Sequence, residues 1–220
     1  MASARGLPTI DGPKTFAEVF RVPRETILKL VRYADLLGHW QKSTNLVAPS
    51  TLPKLWSRHF ADSAQLRTLA PDSRLWLDLG SGAGFPGLVV AILQTGKAEF
   101  RMHLVESNRK KCAFLAEVAR IVEAPVDIHA MRIEELAERD QSLNPDVVSA
   151  RALAPLPRLF ELASPFFGEG TRGLFLKGRE AEAEIDAARE RWQFVCRLHP
   201  SLTAKDASIV EVAGLRERTP

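Results

Sequence analysis

The sequence has 220 residues, of which 45% are hydrophobic and 26% are charged, as in a globular protein with one main domain and a packed core. Its longest uninterrupted apolar run has six residues, whereas about 20 are needed to cross a bilayer, so we exclude a transmembrane protein. Two cysteines exclude a disulfide framework, and the N-terminus lacks the apolar segment of a secretory signal. We therefore expect a soluble protein of the reducing cytoplasm.

The net charge of +3 is unevenly distributed along the chain. Residues 1–73 contain 10 lysines and arginines against 6 acidic residues, and residues 74–220 contain 20 against 21. A basic first third suits a polyanionic partner, because neutralised phosphates release counterions. It is equally compatible with a basic surface that only contacts solvent.

The first third of the chain is predicted to be helical. Apolar residues recur at helical spacing in residues 24–42, which predicts an amphipathic helix. Residues 43–53 contain two prolines and are predicted to form a loop, and a second helical segment is expected at about residues 55–69. We predict that residues 1–73 form a helical N-terminal segment packed on a domain of residues 74–220. The apolar positions of the first helix are Ile27, Leu30, Val31, Ala34 and Leu37.

From Arg74 onward, short apolar strands alternate with helices. This alternation is typical of a doubly wound α/β fold, whose parallel sheet is covered on both faces. The last two strands follow each other without a helix, which predicts an antiparallel edge. We therefore predict a mostly parallel, seven-stranded, Rossmann-like sheet. The predicted strands are residues 74–80, 100–106, 126–131, 147–152, 173–178, 194–199 and 208–215. The predicted helices include residues 88–93, 114–122, 134–138, 156–163 and 180–192.

A glycine-rich turn follows the first predicted strand, where residues 78–87 read DLGSGAGFPG. Glycines at such a turn let the backbone approach a ligand, and ligands of open α/β sheets bind beyond the carboxyl ends of the strands. Four glycines in eight residues are more than a tight turn requires. We therefore predict a ligand site at this turn.

Two ligands are compatible with the turn. A GxGxxG pattern starts at Gly82, and Glu106 ends the second strand, where a ribose-binding carboxylate would lie, so both features are compatible with NAD. Asp78, in contrast, can face a cationic ligand such as the amino group of S-adenosylmethionine, and Phe85 crowds the space that a pyrophosphate would need. The balance favours S-adenosylmethionine, and NAD stays as the alternative.

Six motifs follow one another along the chain, and their combination is more specific than the glycine-rich turn by itself. They are Asn45-Leu46, His59-x-x-Asp62-Ser63, the turn at residues 78–87, Arg132-Ile133-Glu134-Glu135, Ser149-Ala150-Arg151-Ala152 and Leu176-Lys177-Gly178. With them the sequence closely resembles the bacterial small-subunit ribosomal RNA guanine-N7 methyltransferase family, also called glucose-inhibited division protein B. The resemblance implies a class I S-adenosylmethionine-dependent methyltransferase fold and methyl transfer to N7 of a specific guanine in small-subunit (16S) ribosomal RNA.

The residue types agree with this target. Methylation of an exocyclic amine usually calls for an Asn/Asp-Pro-Pro-aromatic turn after the fourth strand, and here that end reads from Ser149 to Arg151 without one. A pyrimidine carbon requires a cysteine nucleophile, but Cys112 and Cys196 are both expected to be core thiols. Guanine N7 has an available lone pair and needs no general base. Ribose methylation with Lys177 as the base remains an alternative.

The resemblance assigns residues to the methyl donor. Gly80 and Phe85 would lie beside the donor, and Ile133 and Glu134 at its adenine. Glu106 would bind the ribose hydroxyls because of its place after the second strand. The predicted donor-binding residues are Asp78, Gly80, Gly82, Phe85, Glu106, Ile133, Glu134 and Arg151.

A second group of residues is predicted to position the target base. Arg151 matches a family position beside donor and target, where its guanidinium could donate two bonds to guanine O6 or hold a phosphate. His59 and Asp62 share a helix face and either bond to each other or form a wall of the target pocket. Lys177 ends the fifth strand and could contact the RNA backbone, and Asn45 is a further candidate for RNA contact. No residue is assigned as a catalytic base.

Arg109, Lys110 and Lys111 occupy the first turn of a predicted helix. The helix dipole disfavours a cation there by roughly 0.3–1 kcal/mol each. We take this as a sign of an external anion and predict contact with RNA phosphate, with a solvated cluster as the alternative.

The expected cofactor is therefore S-adenosylmethionine, and the expected partner is small-subunit ribosomal RNA or a partly assembled 30S subunit. We expect a monomer without a metal, since the five histidines form no ligand cluster in the sequence. Two other functions remain open from the residues: a regulatory module that binds NAD without catalysis, and a methyltransferase that acts on a protein or a small molecule.

Overall fold

The computed structural model describes residues 7–218. The first six residues, which carry part of the N-terminus considered for a secretory signal, and the last two residues of the predicted domain lie outside the described residues. The centre of the molecule is one seven-stranded sheet with the order β3-β2-β1-β4-β5-β7-β6. Its strands are β1 (Leu75–Leu79), β2 (Arg101–Val105), β3 (Val126–His129), β4 (Val147–Arg151), β5 (Arg172–Lys177), β6 (Trp192–Pro200) and β7 (Ser208–Glu217).

The first five strands are parallel to one another. β7 runs antiparallel to β5, and β6 runs antiparallel to β7. The order reverses direction beside β1, which pairs with β2 on one side and with β4 on the other. The predicted fold class, a doubly wound and mostly parallel sheet with an antiparallel edge, is confirmed.

Helices cover both faces of the sheet, and alternate residues of β1 enter two different hydrophobic cores. Trp76 packs in the core with the first five helices, whereas Leu77 and Leu79 pack in the core with the last three. This follows from the two-residue repeat of a strand that is buried on both sides. The helices are α1 (Pro13–Phe20), α2 (Arg24–Trp40), α3 (Asp62–Leu69), α4 (Gly87–Leu93), α5 (Arg109–Val122), α6 (Ile133–Arg139), α7 (Leu156–Ala163) and α8 (Ala181–Arg189).

Among the N-terminal helices, α2 packs against α4 and α5, α3 packs against α4, and α1 packs against α2. α2 was predicted at residues 24–42 and ends at Trp40, and its fully buried residues are Leu30, Tyr33 and Leu37. α1 was not predicted, because eight residues give too little periodicity to recognise; its Phe16 is fully buried and contacts the ring of Trp56. None of the described helices is long and apolar enough to cross a membrane.

The segment between α2 and α3 is more helical than predicted. Part of the predicted loop is a 3₁₀ helix, Pro49–Lys54, and the second predicted helix begins as a π-helical turn, Trp56–Ala61, that continues into α3. Single π turns inside helices are frequent at functional sites. This one carries His59 towards the carboxyl edge of the sheet.

Candidate functional site

A cleft with a volume of about 1160 Å³ lies at the carboxyl ends of β1, β2, β4 and β5. This is the place where an open α/β sheet binds its ligand. Its walls are the loops that follow these strands, the segment before α3 and the connection between β6 and β7. The predicted residues that line it are His59, Asp62, Gly80, Gly82, Phe85, Glu106, Lys111, Ile133, Glu134, Arg151 and Lys177, whereas Asn45, Asp78, Arg109 and Lys110 do not.

The glycine-rich turn forms the floor beside β1. Gly84 has a φ of 93°, and a Cβ there would lie 2.7 Å from the hydroxyl oxygen of Tyr33. The Tyr33 hydroxyl donates to the carbonyl of Ala83, so α2 supports the turn from beneath. Tyr33 was not identified from the sequence, although it is the only tyrosine of the chain and lies on the buried face of an amphipathic helix.

Asp78 does not face the cleft, and the interpretation that its carboxylate meets a cationic ligand is wrong. It is fully buried, and one oxygen accepts a bond of 2.8 Å from the hydroxyl of Ser149, its partner on β4. The other oxygen accepts the N–H of Gly87 at 3.2 Å. Even residues of β1 point into the core under α4, so the carboxylate fixes the start of that helix. Burial raises the pKa of Asp78 to about 6.

Glu106, in contrast, lines the cleft directly after β2. One carboxylate oxygen accepts the N–H of Gly82 at 2.9 Å, and the other accepts the N–H of Asn108 at 2.7 Å. The side chain therefore joins the first and second strand-end loops. Each oxygen keeps a further lone pair with which it can accept a hydroxyl.

The start of α6 gives the cleft an apolar wall with a carboxylate beside it. Ile133 is almost buried and lines the cleft together with Met131. Glu134 is exposed and forms an ion pair of 3.0 Å with Arg158 of α7. An exposed pair of this kind is weak, so Glu134 can exchange this partner for a ligand.

Arg151, the last residue of β4, is the most densely bonded side chain of the cleft. Its Nη2 lies 2.6 Å from Nδ1 of His59, and its Nη1 donates to the carbonyl of Arg58 at 2.8 Å. Nη1 is also 3.5 Å from the carboxylate of Asp62. The guanidinium carbon lies 5.1 Å from the ring centre of Phe85. Contacts with the N-terminal segment and with the glycine-rich turn thus meet at one guanidinium.

His59 and Asp62 are brought together by Arg151 and not by a bond to each other, which was one of the two expectations. Burial, together with Arg151 and Arg58, lowers the pKa of His59 to about 3, so its imidazole is neutral at pH 7. Burial raises the pKa of Asp62, and the Arg151 guanidinium partly offsets that effect. Both residues line the cleft, and the other expectation, that they form a wall of the target pocket, stays a prediction.

Lys177 is not available to contact an RNA backbone in this arrangement. Its side chain is only 9% exposed, and Nζ forms an ion pair of 2.7 Å with Glu184. Nζ also donates to the carbonyl of Ala154 at 2.6 Å. Lys177 therefore fixes the loop after β4, in which Ala152 has a φ of 52°. The same partners argue against its use as a base for ribose methylation.

The predicted basic turn lies at the start of α5, beside the cleft. Asn108 caps this helix by accepting the N–H groups of Lys110 and Lys111. Lys111 lines the cleft, whereas Arg109 and Lys110 are exposed outside it. Asn45 is also exposed and lies just before a stretch of cleft wall that begins at Leu46. None of the ion pairs formed within residues 7–218 includes Arg109, Lys110 or Lys111.

Four further cations line the cleft and were given no role from the sequence: Arg158, which pairs with Glu134, and Arg58, Arg132 and Arg179. The last three are exposed and lie at the border of a motif: Arg58 precedes His59, Arg132 begins the motif that contains Ile133, and Arg179 follows Gly178. A basic residue at the border of a motif was the signal that could have identified them.

Neither cysteine has a place in the cleft. Cys112 is buried and its thiol donates to the carbonyl of Glu106, whereas Cys196 on β6 is only half-buried and so is not the core thiol that was predicted. His103 and His129 stack on β2 and β3 with 2.8 Å between their nitrogens. No group of three potential ligands that could hold a metal ion occurs between residues 7 and 218.

Comparison with known proteins gives a consistent result. Residues 26–210 match the family described as rRNA small subunit methyltransferase G. The Ribosomal RNA small subunit methyltransferase G of Parvibaculum lavamentivorans is 50% identical over 211 residues, which cover 96% of this chain and 92% of the relative. The protein of the same name from Methylobacterium sp. (strain 4-46) is also 50% identical over 211 residues, covering 96% and 98%.

Solved structures share the fold at low identity. An O-methyltransferase from Bacillus cereus, solved with SAH, has a TM-score of 0.61 and 15% identity and covers 91% of this chain and 96% of its own. A mutant of MtNAS in complex with S-adenosylmethionine has a TM-score of 0.56 and 14% identity, with coverage of 93% and 84%. At this identity the similarity concerns the fold alone, and it agrees with the sheet order described above.

Proposed function

We infer the reaction from one premise: the chain belongs to the rRNA small subunit methyltransferase G family. It is an S-adenosylmethionine-dependent methyltransferase that transfers a methyl group to N7 of a guanine in small-subunit ribosomal RNA. The observation that carries this function at the level of the site is the cleft, which is lined by the glycine-rich turn, Glu106 and Arg151 together. The NAD alternative has no support from the family.

The cleft residues fit S-adenosylmethionine, which supplies a methyl group made electrophilic by its sulfonium when bound. At Gly82 a Cβ would meet only a backbone oxygen at 3.8 Å, so the turn leaves open space beside the sheet. We propose that Gly80, Gly82 and Phe85 border the donor and that Glu106 accepts its ribose hydroxyls. The apolar wall at Ile133, with Glu134 at its rim, would hold the adenine. Asp78 has no direct contact in this proposal.

The chemistry of N7 agrees with the polar groups that the cleft contains. N7 carries a lone pair and loses no proton when it is methylated, so the chain needs to align the base and not to deprotonate it. The two groups that could serve as bases beside β4, His59 and Asp62, are both engaged by Arg151. We propose that Arg151 contacts the target guanine, with His59 and Asp62 as part of the pocket wall.

Arg151 has donors left for this contact. Nη1 is engaged by Arg58 and Asp62, and Nη2 uses one of its two N–H groups on His59. The other N–H of Nη2 and the N–H of Nε have no acceptor among residues 7–218. Two parallel donors suit the acceptor edge of guanine, at O6, or a phosphate.

We further propose that the RNA backbone crosses the rim of the cleft at the start of α5. The three cations there, Arg109, Lys110 and Lys111, sit against the helix dipole without an acidic partner in the described chain. Asn45 would contact the RNA beside them. Lys177 makes no direct RNA contact in this proposal, because Glu184 and the carbonyl of Ala154 engage its Nζ.

We propose that residues 1–73 are a helical segment that completes the cleft of a methyltransferase domain of residues 74–220. Contacts of α2 with α4 and α5, and of His59 with Arg151, support the packing of this segment on the domain. One chain supplies every described wall of the cleft, which supports a monomer. Ribosomal RNA as the substrate supports a cytoplasmic location in a bacterium. Whether naked RNA or a partly assembled 30S subunit is preferred is decided by the experiment below.

The test is methyl transfer from labelled S-adenosylmethionine to ribosomal RNA and to small subunits from a strain that lacks this modification. Digestion should place the label in 7-methylguanosine, and Arg151→Ala or Gly80→Asp should abolish it. Arg74→Ala, at the opposite edge of the sheet, is the control that keeps the activity. Label in another nucleoside would overturn the target, and transfer that survives Arg151→Ala would overturn the proposed site.

A further inference from the structure

The guanidinium of Arg151 is the first member of a chain of hydrogen bonds that runs to the mouth of the cleft. His59 accepts from it at Nδ1 over 2.6 Å, and the other ring nitrogen, Nε2, lies 2.8 Å from Oγ1 of Thr51. Thr51 in turn donates to the carbonyl of Ala48 over 2.7 Å. The chain therefore links β4, the π-helical turn and the 3₁₀ helix, which are three separate pieces of backbone.

Only one arrangement of protons satisfies every bond in this chain. A guanidinium has donors and no acceptor, so Nδ1 of His59 must accept and cannot carry a proton. The proton of the neutral ring is then on Nε2, which donates to Thr51. The Thr51 hydroxyl accepts that bond and donates its own hydrogen to Ala48. Each nitrogen and oxygen atom of this chain therefore has a fixed part as donor or acceptor, and the hydrogen bonds are all donated in one direction, from Arg151 to the carbonyl of Ala48.

The Thr51 hydroxyl uses its hydrogen on Ala48 and is left as an acceptor, so it stabilises the histidine tautomer that Arg151 requires. Without an acceptor at Nε2 the proton could move to Nδ1, where it would point at an N–H of Arg151. A protonated imidazole would meet the same conflict and add a like charge. Arg151 would then lose one of the bonds that hold it above Phe85. The N–H groups that it has left for the target base would change their direction.

We propose that Thr51 is a positioning residue that acts through the Nε2–H tautomer of His59 to fix the direction in which Arg151 presents its remaining N–H groups to the target base. Thr51 and Ala48 both line the cleft, so this part of the cleft wall also belongs to the chain that orients Arg151. This inference rests on the proposed function for its kinetic consequence, whereas the tautomer is a property of the protein alone.

The tautomer can be measured directly by ¹⁵N NMR of the histidine side chains of the full-length protein at pH 7. In the wild type we expect His59 with the proton on Nε2, assigned by the signal that disappears in His59→Asn. Thr51→Val, which has the shape of threonine without the hydroxyl, should shift the ring towards the Nδ1–H form or a mixture. A wild-type ring protonated on Nδ1, or a tautomer unchanged in Thr51→Val, would overturn the inference.

Kinetics test the consequence for catalysis. Thr51→Val should lower kcat for RNA roughly tenfold while the Kd for S-adenosylmethionine stays within twofold, because a misdirected guanidinium affects alignment more than donor binding. Thr51→Ser restores the hydroxyl and should recover most of the rate. Thr68→Val is the matched control, since Thr68 donates to a carbonyl three residues earlier over the same 2.7 Å but does not line the cleft. A Thr51→Ser as slow as Thr51→Val would contradict the role of the hydroxyl.

A second pair of variants covers the case in which Thr51→Val does not fold. His59→Asn keeps an acceptor near Nδ1, and His59→Leu does not, so the first should be at least fivefold faster than the second. Equal rates would overturn the inference. If the wild type transfers no methyl to RNA, the proposed function fails while the NMR result still decides the tautomer, so the two failures are distinguishable.

Discussion

At the scale of single residues, three polar side chains shape the glycine-rich turn by bonding to its backbone. Tyr33 donates to Ala83, Glu106 accepts from Gly82, and Asp78 accepts from Gly87 at the turn's far end. A turn made of small residues has few side chains that could hold its own backbone in place. The supporting groups must come from neighbouring elements, and here they come from α2, β2 and β1.

The bond from Tyr33 gives a prediction that concerns one hydroxyl. Burial raises the pKa of Tyr33, so the hydroxyl stays protonated and remains a donor across the usual pH range. Tyr33→Phe removes the donor and leaves the ring in place. We expect the free energy of unfolding to fall by about 1 kcal/mol and the Kd for S-adenosylmethionine to rise severalfold. Urea unfolding and calorimetric titration measure the two quantities, and a variant unchanged in both would show that the turn holds itself.

Single residues also show where prediction from the sequence stops. The sequence places Arg151 at a strand end beside the ligand, and the structure has it there, but its contact with His59 joins residues 92 positions apart. The sequence predicts that Lys177 is an available cation, but in the structure it forms an ion pair with Glu184. From the sequence Asp78 is expected to face a ligand, because the sequence does not tell whether a polar residue at a strand end points into the cleft or is buried under a helix, as Asp78 is. Long-range partners leave no local pattern.

At the scale of elements, prediction succeeds where burial leaves a periodic pattern. The seven strands are apolar runs between turn residues, and each was placed with an error of a few residues at its ends. The elements that were missed, α1 and the 3₁₀ helices at Pro49–Lys54 and Ser164–Phe166, are short, and the first of these 3₁₀ helices contains two prolines. The π-helical turn was assigned as ordinary helix because the spacing of apolar residues over six positions does not distinguish i→i+5 from i→i+4 hydrogen bonds.

The glycine-rich turn and α2 offer a matched pair of substitutions. Gly84 has a φ of 93°, and its Cβ would lie 2.7 Å from the Tyr33 hydroxyl and 2.8 Å from Cβ of Leu88. Gly38 is helical, in α2, and a Cβ there meets nothing within 4 Å. We expect Gly84→Ala to destabilise the protein by more than about 2 kcal/mol and Gly38→Ala to stabilise it by roughly 0.5–1 kcal/mol. Thermal and urea unfolding check both, and effects of the same sign would contradict the difference in backbone conformation.

At the scale of the whole molecule, the cations at the start of α5 differ from those at the amino edge of the sheet in whether they have acidic partners. At the amino edge, Arg74 pairs with Glu99 and Arg101 pairs with Asp127. At the carboxyl edge, the cations at the start of α5 form none of the ion pairs found within residues 7–218. The net charge of +3 does not reveal this difference, which appears only when the strands are arranged in the sheet.

The difference predicts an asymmetric effect of neutralising charge. Changing Arg109, Lys110 and Lys111 to Gln should reduce the slope of log K against log salt for RNA binding by about 2, since each phosphate contact contributes roughly 0.7–0.9. The control changes the same number of charges at the amino edge, namely Arg74, Lys97 and Arg101 to Gln. We expect little change of slope in that control. Fluorescence anisotropy over a series of salt concentrations measures it, and equal slopes in the two triple variants would mean that α5 does not contact the backbone.

The last prediction concerns the pH dependence of the stability of the whole molecule, to which two buried groups contribute with opposite sign. The pKa of His59 is lowered from 6.5 to about 3, so the unfolded chain takes up a proton that the folded one refuses, and this contribution to stability is lost as the pH falls below 6.5. The pKa of Asp78 is raised from 3.8 to about 6, so its contribution is present at low pH and lost as the pH rises through 6.

The two contributions largely cancel in the wild type between pH 4 and 6 and are separated by substitution. Relative to the wild type, Asp78→Asn should gain about 3 kcal/mol of stability between pH 4 and 7, at about 1.4 kcal/mol for each pKa unit, whatever its stability at pH 4. His59→Asn should become more stable relative to the wild type as the pH falls from 7 to 4, because it lacks the group whose contribution is lost there. Urea unfolding at pH 4, 5, 6 and 7 gives the differences, in which the other titrating groups cancel. Three parallel profiles would mean that water reaches both groups in the folded protein, because burial is the largest cause of both pKa shifts.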